Sequence, residues 1–210
     1  MLSDHVGDAV LGKFSFLNLI GRIAFPIFAF QAVQGYLYTK NLKKHMSKLF
    51  LFACLSQIPF MLFLSTFYDG FVLNIFFTFF LGLLAIFLYD KCNHKIFGFF
   101  VVAFISIIGM LIHVDYSAFG ILLIFCFYFF KDTKWQMVIA TILLCFGKYL
   151  PEIFATPVLF WHYLTCAVFT CLSLCFILFY NQKEGPKANY FFYLFYPIHL
   201  LILYFIHMAL

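Results

Sequence analysis

Long apolar segments separated by short polar breaks run the length of this 210-residue chain, and they constrain its fold more than any other feature. Hydrophobic residues make up 66% of the sequence and charged residues only 10%, whereas soluble proteins carry about a quarter charged residues. In lipid, each such segment satisfies its backbone hydrogen bonds internally, as a helix. We therefore predict an all-α polytopic integral membrane helix bundle that forms a single domain over residues 1–210.

The segments predict about eight spanning helices preceded by a short N-terminal half-helix. The expected helices occupy residues 1–12, 16–39, 48–67, 72–89, 96–113, 117–130, 135–150, 157–180 and 189–209. The first segment is too short to cross a bilayer, because a full span takes about 20 residues. We expect it to be a re-entrant or interfacial piece, or the outer half of a helix.

Lysines occupy alternate connections between the segments. They are Lys40, Lys43, Lys44 and Lys48, then Lys91 and Lys95, then Lys131 and Lys134, then Lys183 and Lys187. The positive-inside rule predicts that these loops are cytoplasmic, that the break at Gly12–Lys13 is near the outer surface, and that the C-terminus is outside. Because the net charge of +5 comes from these loops, it implies no nucleic-acid partner. The seven cysteines include no CxxC pair, and we predict no metal site.

The N-terminus places two carboxylates beside a histidine, in the string SDHVGD. If these residues are helical, Asp8 lies one turn from His5. A carboxylate there can hold an imidazole in one tautomer and stabilise its charged form. Asp4 points about 100° away from His5 around the helix, so Asp8 is the better placed of the two. The alternative interpretation of this segment is a solvated tail.

Arg22 is the only arginine in the chain, and its neighbours in IGRIAFPIFAF are apolar. An arginine inside a membrane helix requires a partner or a water-filled cavity, which makes it a functional candidate. Its rigid fork of donors suits a carboxylate or a phosphate. The alternative is a structural ion pair with Asp4 or Asp8.

Other candidates are polar or aromatic residues inside apolar segments or at their ends. Small and polar stripes on membrane helices more often permit close packing than form a site, and a single histidine flanked by aromatic residues is usually interfacial. The candidates of this kind are Gln57, Asn74, Thr78, Asp115, Tyr116, Tyr196 and His199.

Six strings together resemble the TraX family, polytopic proteins related in organisation to the acyltransferase-3 type membrane acyltransferases. They are SDHVG at 3–7, GRIAFPIFAF at 21–30 with QGYLYT at 34–39, FACLSQIPF at 52–60, LNIFFTFFLGLLAI at 73–86, VDYSAFGILLI at 114–124 and FFYLFYPIHLLIL at 191–203. Each string alone is a weak signal, whereas six in the family's order are specific.

The resemblance implies a membrane acetyltransferase that uses acetyl-CoA to acetylate the N-terminal residue of a pilin-like peptide, or a cell-envelope glycan or lipid. By analogy, His5 acts as general base or transient acyl carrier, with Asp4, Asp8 and Arg22 as its catalytic partners. The candidates listed above then bind substrate, and Lys43, Lys44 and Lys48 attract the phosphates of acetyl-CoA. A small-molecule transporter, or a membrane substrate-binding subunit with a buried Arg–Asp site, is the alternative.

Overall fold

The computed structural model describes residues 1–11, 15–181 and 189–209, and their regular structure is helical. The predicted break at Gly12–Lys13 and the lysines at 183 and 187 lie outside the described residues. The first helix is short, with α1 at Leu2–Val6 continuing into a π-helical turn at Gly7–Leu11. The remaining helices are α2 (Phe16–Tyr38), α3 (Leu42–Leu64), α4 (Ile75–Lys91), α5 (Lys95–Leu111), α6 (Ser117–Phe129), α7 (Lys134–Ala155), α8 (Phe160–Leu178, after a 3-10 turn at Pro157–Leu159) and α9 (Asn189–Ala209).

The predicted all-α membrane bundle is confirmed. Within the described residues, four segments are long and apolar enough to cross a membrane: Phe16–Tyr38, Leu42–Leu64, Lys134–Ala155 and Pro157–Leu178. Trp135 is exposed at the start of α7, and Trp161 is exposed at the start of α8. These two positions lie at opposite ends of the bundle. Tryptophans in these positions are typical of the two aromatic belts of a membrane protein.

Two helix boundaries differ from the sequence-based prediction by five residues or more. Helix α3 begins at Leu42, six residues early, because the Asn41 side chain caps it by accepting a hydrogen bond from the Lys44 backbone N–H at 2.9 Å. The lysines at 43, 44 and 48 are therefore helical. Helix α7 continues through Pro151 to Ala155, so Lys148 and Glu152 lie on a helix rather than in a connection.

Helix α2 lies at the centre of the bundle. It packs against α1, α4, α6 and α8, while α3 packs between α4 and α9, and α7 packs against α6 and α8. The connections α2–α3, α4–α5 and α6–α7 meet at one end, which we call the lysine end. There the Asp90 carboxylate accepts hydrogen bonds from Tyr36 at 2.8 Å and from Tyr128 at 2.5 Å, which ties α4 to α2 and α6.

The short helix α1 lies directly against the backbone of α2. A Cβ atom added at Gly21 would stand 2.4 Å from the Asp4 Cβ atom, and one added at Gly7 would stand 2.6 Å from Ser15 Oγ. Two glycines on facing segments therefore allow the N-terminal segment to approach α2 more closely than any side chain permits.

Replacing Gly21 by alanine is expected to lower the free energy of unfolding by about 1–3 kcal/mol, because the new methyl group overpacks the contact with Asp4. Denaturant titration in mixed micelles measures this change. Gly147→Ala is the matched control, since nothing lies within 4 Å of a Cβ atom there. That control is expected to gain up to about 1 kcal/mol from helix propensity. Equal stability of the two variants would contradict the close contact.

Candidate functional site

Helices of unequal length create a recess at the end of the bundle opposite the lysine end. Helices α2 and α3 have 23 residues each, and α6 has 13. At 1.5 Å per residue these lengths are about 35 Å and 20 Å. Because α4, α5 and α6 all stop short at this end, the connections that join them turn inside the bundle. The recess holds α1 and the candidate site.

Asn18, buried in the first turn of α2, fixes the N-terminal segment in this recess. Its amide nitrogen donates to the Asp4 carbonyl (3.0 Å), the Asp4 carboxylate (3.1 Å) and the Asp8 carboxylate (2.9 Å). Its Oδ1 accepts from the backbone N–H and the hydroxyl of Ser15, at 3.1 and 2.7 Å. One amide thus connects both acidic residues to the start of α2, and the segment is not a solvated tail. The Ser-x-x-Asn pattern of a helix N-terminus was the sequence signal for Asn18.

The other side of the N-terminal segment contacts α3 and α9. The His5 ring lies edge-on to Phe63 at 5.1 Å and beside His199 at 5.4 Å between ring centroids. His207 Nδ1 donates to the carbonyl of Ala9 at 3.0 Å. His5 therefore lies between α3 and α9, and the N-terminal segment contacts α9 although almost 200 residues separate them in sequence.

The predicted orientation of His5 by a carboxylate is not what the structure contains. His5 Nδ1 is buried and has no hydrogen-bond partner, while the carboxylates of Asp4 and Asp8 accept hydrogen bonds from Asn18. The reason is geometric. Both acids lie on the side of the N-terminal segment that packs against α2, and His5 faces α3 and α9.

Arg22 projects into the recess from α2. Its Nη2 atom lies 4.0 Å from the Asp4 carboxylate, and its Nε is buried without a hydrogen-bond partner. The side chain keeps 31% of its surface exposed, against 14% for Asp4. The guanidinium is therefore positioned by one carboxylate but retains donors that can reach a bound molecule.

The connection between α5 and α6 is bent sharply into the recess. His113, Tyr116 and Ser117 all have positive φ angles, of 54°, 61° and 49°. The backbone of Leu73 holds the connection, because it donates to the His113 carbonyl and accepts from the Asp115 N–H, at 3.0 and 2.7 Å. Strained backbone of this kind clusters at functional sites.

This bend sets Asp115 and Tyr116 on the wall of the recess. The Thr78 hydroxyl donates a hydrogen bond to the carbonyl of Asp115, and the Tyr116 ring stacks on Phe25 at 3.7 Å. Burial raises the pKa of the Asp115 carboxyl to about 6, and the Lys148 ammonium acts in the opposite direction. The pKa of Asp115 therefore lies nearer to neutral pH than that of an ordinary aspartate.

Lys148 is the site residue that sequence reasoning missed. Its ammonium lies over the rings of Tyr116, Phe119 and Tyr149, at 4.4, 4.9 and 5.1 Å. These cation–π contacts hold it in the recess. The available signal was the same as for Arg22, a single cation inside an apolar stretch, but the predicted end of α7 at residue 150 placed it beside a loop.

These side chains line a cavity of about 340 Å³. Its wall includes His5, Asp4, Asp8, Arg22, Asp115, Tyr116 and Lys148, and its apolar part includes Phe60, Phe63 and Ile75. A second cavity of about 390 Å³ shares Asp8, Arg22, Phe67 and Lys148 with the first. It adds Asn18, Tyr149, Glu152, His162, Tyr163 and Cys166. We treat the two as lobes of one cleft, with Arg22 and Lys148 between them.

Five of the predicted substrate-binding residues line neither lobe of this cleft: Gln57, Asn74, Thr78, Tyr196 and His199. Asn74 caps α4 by accepting from the Phe76 N–H at 3.0 Å, and it donates to Ala53 and to Gln57. Gln57 in turn donates to the Val72 carbonyl at 2.7 Å. The side-chain amides of Asn74 and Gln57 therefore hydrogen-bond to each other and to the backbone at the start of α4, behind the cavity wall.

The predicted acetyl-CoA-binding lysines lie at the other end of the bundle. Lys43 and Lys44 are exposed, whereas Lys48 lines a separate cavity of about 470 Å³ together with His45, Thr39 and Gln31. From Lys44 to Phe60, α3 extends about 24 Å. Any molecule that uses both regions must therefore reach through most of the bundle.

The fold and the cleft together define a class: a polytopic helical membrane protein with a cleft near one end that is lined by charged side chains. Residues 1–207 match the TraX protein family, and the chain belongs to that family. A curated relative, the probable fimbrial assembly protein FimC, serogroup H1, of Dichelobacter nodosus, is 26% identical over 209 residues, which cover 91% of this chain and 82% of that protein. No solved structure matches the chain.

Asn18→Ala is expected to lower the free energy of unfolding by about 2–3 kcal/mol, because it leaves buried groups of the N-terminal segment without their donor. Denaturant titration in mixed micelles measures the loss. Asn93→Ala, at an exposed position between α4 and α5, is the control and is expected to stay within about 0.5 kcal/mol of the native protein. A native-like Asn18→Ala protein would show that the segment is held by other contacts.

Proposed function

We propose that this protein is a membrane acetyltransferase that moves an acetyl group from acetyl-CoA to the N-terminal amine of a pilin-like peptide, or to a cell-envelope acceptor. The observation that carries the proposal is the position of His5 on the wall of a cavity of about 340 Å³, with Arg22 and Lys148 on the same wall. A base and two cations around one cavity are groups that can catalyse acyl transfer.

In the proposed reaction, the nitrogen of the acceptor amine attacks the acetyl carbonyl carbon, and His5 accepts a proton from that amine. The N–C bond forms and the carbonyl oxygen becomes negatively charged, and Arg22 and Lys148 stabilise that charge. The C–S bond then breaks, the carbonyl re-forms, and His5 returns the proton to the leaving CoA thiolate. The products are the N-acetylated acceptor and CoA, and no other reactant is consumed.

The donor is proposed to enter from the lysine end, which the positive-inside rule places in the cytoplasm. Lys48 and His45 stand beside the cavity at that end, and its inner wall includes Phe76 and Phe79. Ile75, the neighbour of Phe76, lines the cleft on the other side. A layer of aromatic and aliphatic side chains, including Phe25 stacked on Tyr116, therefore separates the donor cavity from the His5 cleft.

The acceptor is proposed from the relatives. The name of the Dichelobacter nodosus protein refers to fimbrial assembly, and the activity implied by the TraX resemblance acts on pilin. The cleft supports an amine acceptor, because its second lobe, the cavity of about 390 Å³, is lined by the Asp8 and Glu152 carboxylates with Tyr149 and Tyr163. Carboxylates and aromatic rings are the groups that bind an ammonium ion.

Purified protein is expected to transfer labelled acetyl from acetyl-CoA to a synthetic pilin-like peptide with a free N-terminal amine. The same peptide with a blocked N-terminus is the control, and a glycan acceptor separates hydroxyl from amine transfer. His5→Ala is expected to reduce transfer at least 100-fold, as for loss of a general base. The exposed His94→Ala variant, at the lysine end, is expected to keep native activity. Absence of transfer to every acceptor from the native protein would contradict the proposal and favour a transporter.

Lys48→Gln is expected to raise the KM for acetyl-CoA about tenfold, with little change in kcat, because one charge-assisted contact to a phosphate is lost. Lys43→Gln and Lys44→Gln remove equal charge from exposed positions outside that cavity, and each is expected to change KM less than threefold. Steady-state kinetics in nanodiscs measure all three. Equal effects from the three variants would point to general attraction by the lysine end, without a donor site at Lys48.

A further inference from the structure

Two imidazole rings from opposite ends of the chain meet beside the cleft. His5 is on α1 and His199 is on α9, and their ring centroids are 5.4 Å apart with the planes tilted by 33°. His5 lines the cavity, whereas His199 is only 5% exposed and lies behind it. His199 therefore touches His5 without forming part of the cavity wall.

The tautomer of His199 is fixed by its own helix. Its Nδ1 lies 2.7 Å from the carbonyl of Phe195, one turn earlier on α9. A carbonyl only accepts hydrogen bonds, so Nδ1 carries the proton in the neutral ring and Nε2 carries the lone pair. The ring stacks on Phe195 at 4.9 Å and lies edge-on to Tyr196 at 5.7 Å. These contacts hold the ring in place.

Each ring has one buried nitrogen without a hydrogen-bond partner. The two atoms are His5 Nδ1 and His199 Nε2. Buried polar atoms in this state are rare and call for an explanation. The centroid separation is close to that of two imidazoles joined nitrogen to nitrogen by a hydrogen bond of about 3 Å. One hydrogen bond between the two rings would satisfy both atoms at once.

We propose that His199 is the positioning residue of the site, and that its Nε2 accepts a hydrogen bond from His5 Nδ1–H. This bond keeps the proton of neutral His5 on Nδ1 and leaves the Nε2 lone pair for the cavity. The role of that lone pair as general base rests on the acetyltransferase function proposed above. When His5 takes a second proton during transfer, the hydrogen bond from its Nδ1–H to His199 Nε2 strengthens. The Phe195 carbonyl, at the Nδ1 atom of His199, polarises that ring.

Nitrogen NMR of ¹⁵N-histidine-labelled protein in nanodiscs tests the hydrogen bond without any assay of activity. Spectra are recorded about two pH units above the ordinary histidine pKa of about 6.5, so that the rings are neutral. His5→Asn identifies the His5 signals by their loss. The native protein is expected to show His5 with its proton on Nδ1. A native His5 ring with its proton on Nε2 would overturn the proposal.

Two substitutions at His199 separate positioning from packing. His199→Phe keeps an aromatic ring on Phe195 but removes the acceptor, and it is expected to shift His5 toward the Nε2–H tautomer. His199→Gln supplies a carbonyl oxygen as acceptor and is expected to restore the Nδ1–H tautomer. An unchanged His5 spectrum in His199→Phe would contradict the proposal. Thermal unfolding of each variant, followed by circular dichroism, identifies any loss of fold.

The kinetic test uses the same variants. His199→Phe is expected to lower kcat for acetyl transfer at least 100-fold, with KM changed less than threefold. The kcat of His199→Gln is expected to be at least tenfold higher than that of His199→Phe. Native kcat in His199→Phe would overturn the positioning role. If the native protein transfers no acetyl group, the acetyltransferase proposal fails. The NMR result then still decides whether His199 pairs with His5.

Discussion

The amide of Asn18 is the interaction on which the candidate site depends. The N-terminal segment brings two carboxylates into a largely apolar bundle, and burying such groups is costly unless they are hydrogen-bonded. The Asn18 amide hydrogen-bonds both Asp4 and Asp8 to the first turn of α2. Asp4 is then close enough to pair with Arg22, and His5 is turned toward α3 and α9.

The inequality of helix lengths explains why there is a recess for this segment. Helices α4 and α6 start deep in the bundle. The backbone groups of their first turns meet Asn74 and the strained 113–117 connection instead of water. Backbone that is not helical is tolerated at membrane depth only where protein or a cavity satisfies it. The recess, the inward loops and the cleft are therefore consequences of one architectural feature.

The sequence was sufficient for features that depend on local composition. The apolar segments predicted an all-α membrane bundle, and the ordered strings predicted the TraX family, both of which are confirmed. Boundaries were less accurate where polar residues extend a helix. Lysines at 43 and 44 continue α3 beyond its apolar part, because their charged ends reach water while their stems stay on the helix.

The contacts that define the site could not be predicted, because they join residues far apart in sequence. The Ser-x-x-Asn pattern indicated a helix start at Asn18 but not its contacts with Asp4 and Asp8, and nothing local brings Lys148 over Tyr116 or His199 beside His5. Spacing on an ideal helix favoured Asp8 as the partner of His5. Tertiary packing overrode that preference, since the N-terminal segment turns both acids toward α2.

A neutral partner for His5 is consistent with the electrostatics of the recess. A carboxylate buried beside His5 would need its own hydrogen bonds in a low-dielectric environment, and an uncompensated charge there costs several kcal/mol. The site instead places its acids against Asn18 and Arg22 and sets an uncharged imidazole behind His5. His199 supplies an acceptor with a defined tautomer and adds no charge. The acids thus hold the N-terminal segment in the recess, and the second imidazole is left to orient the base.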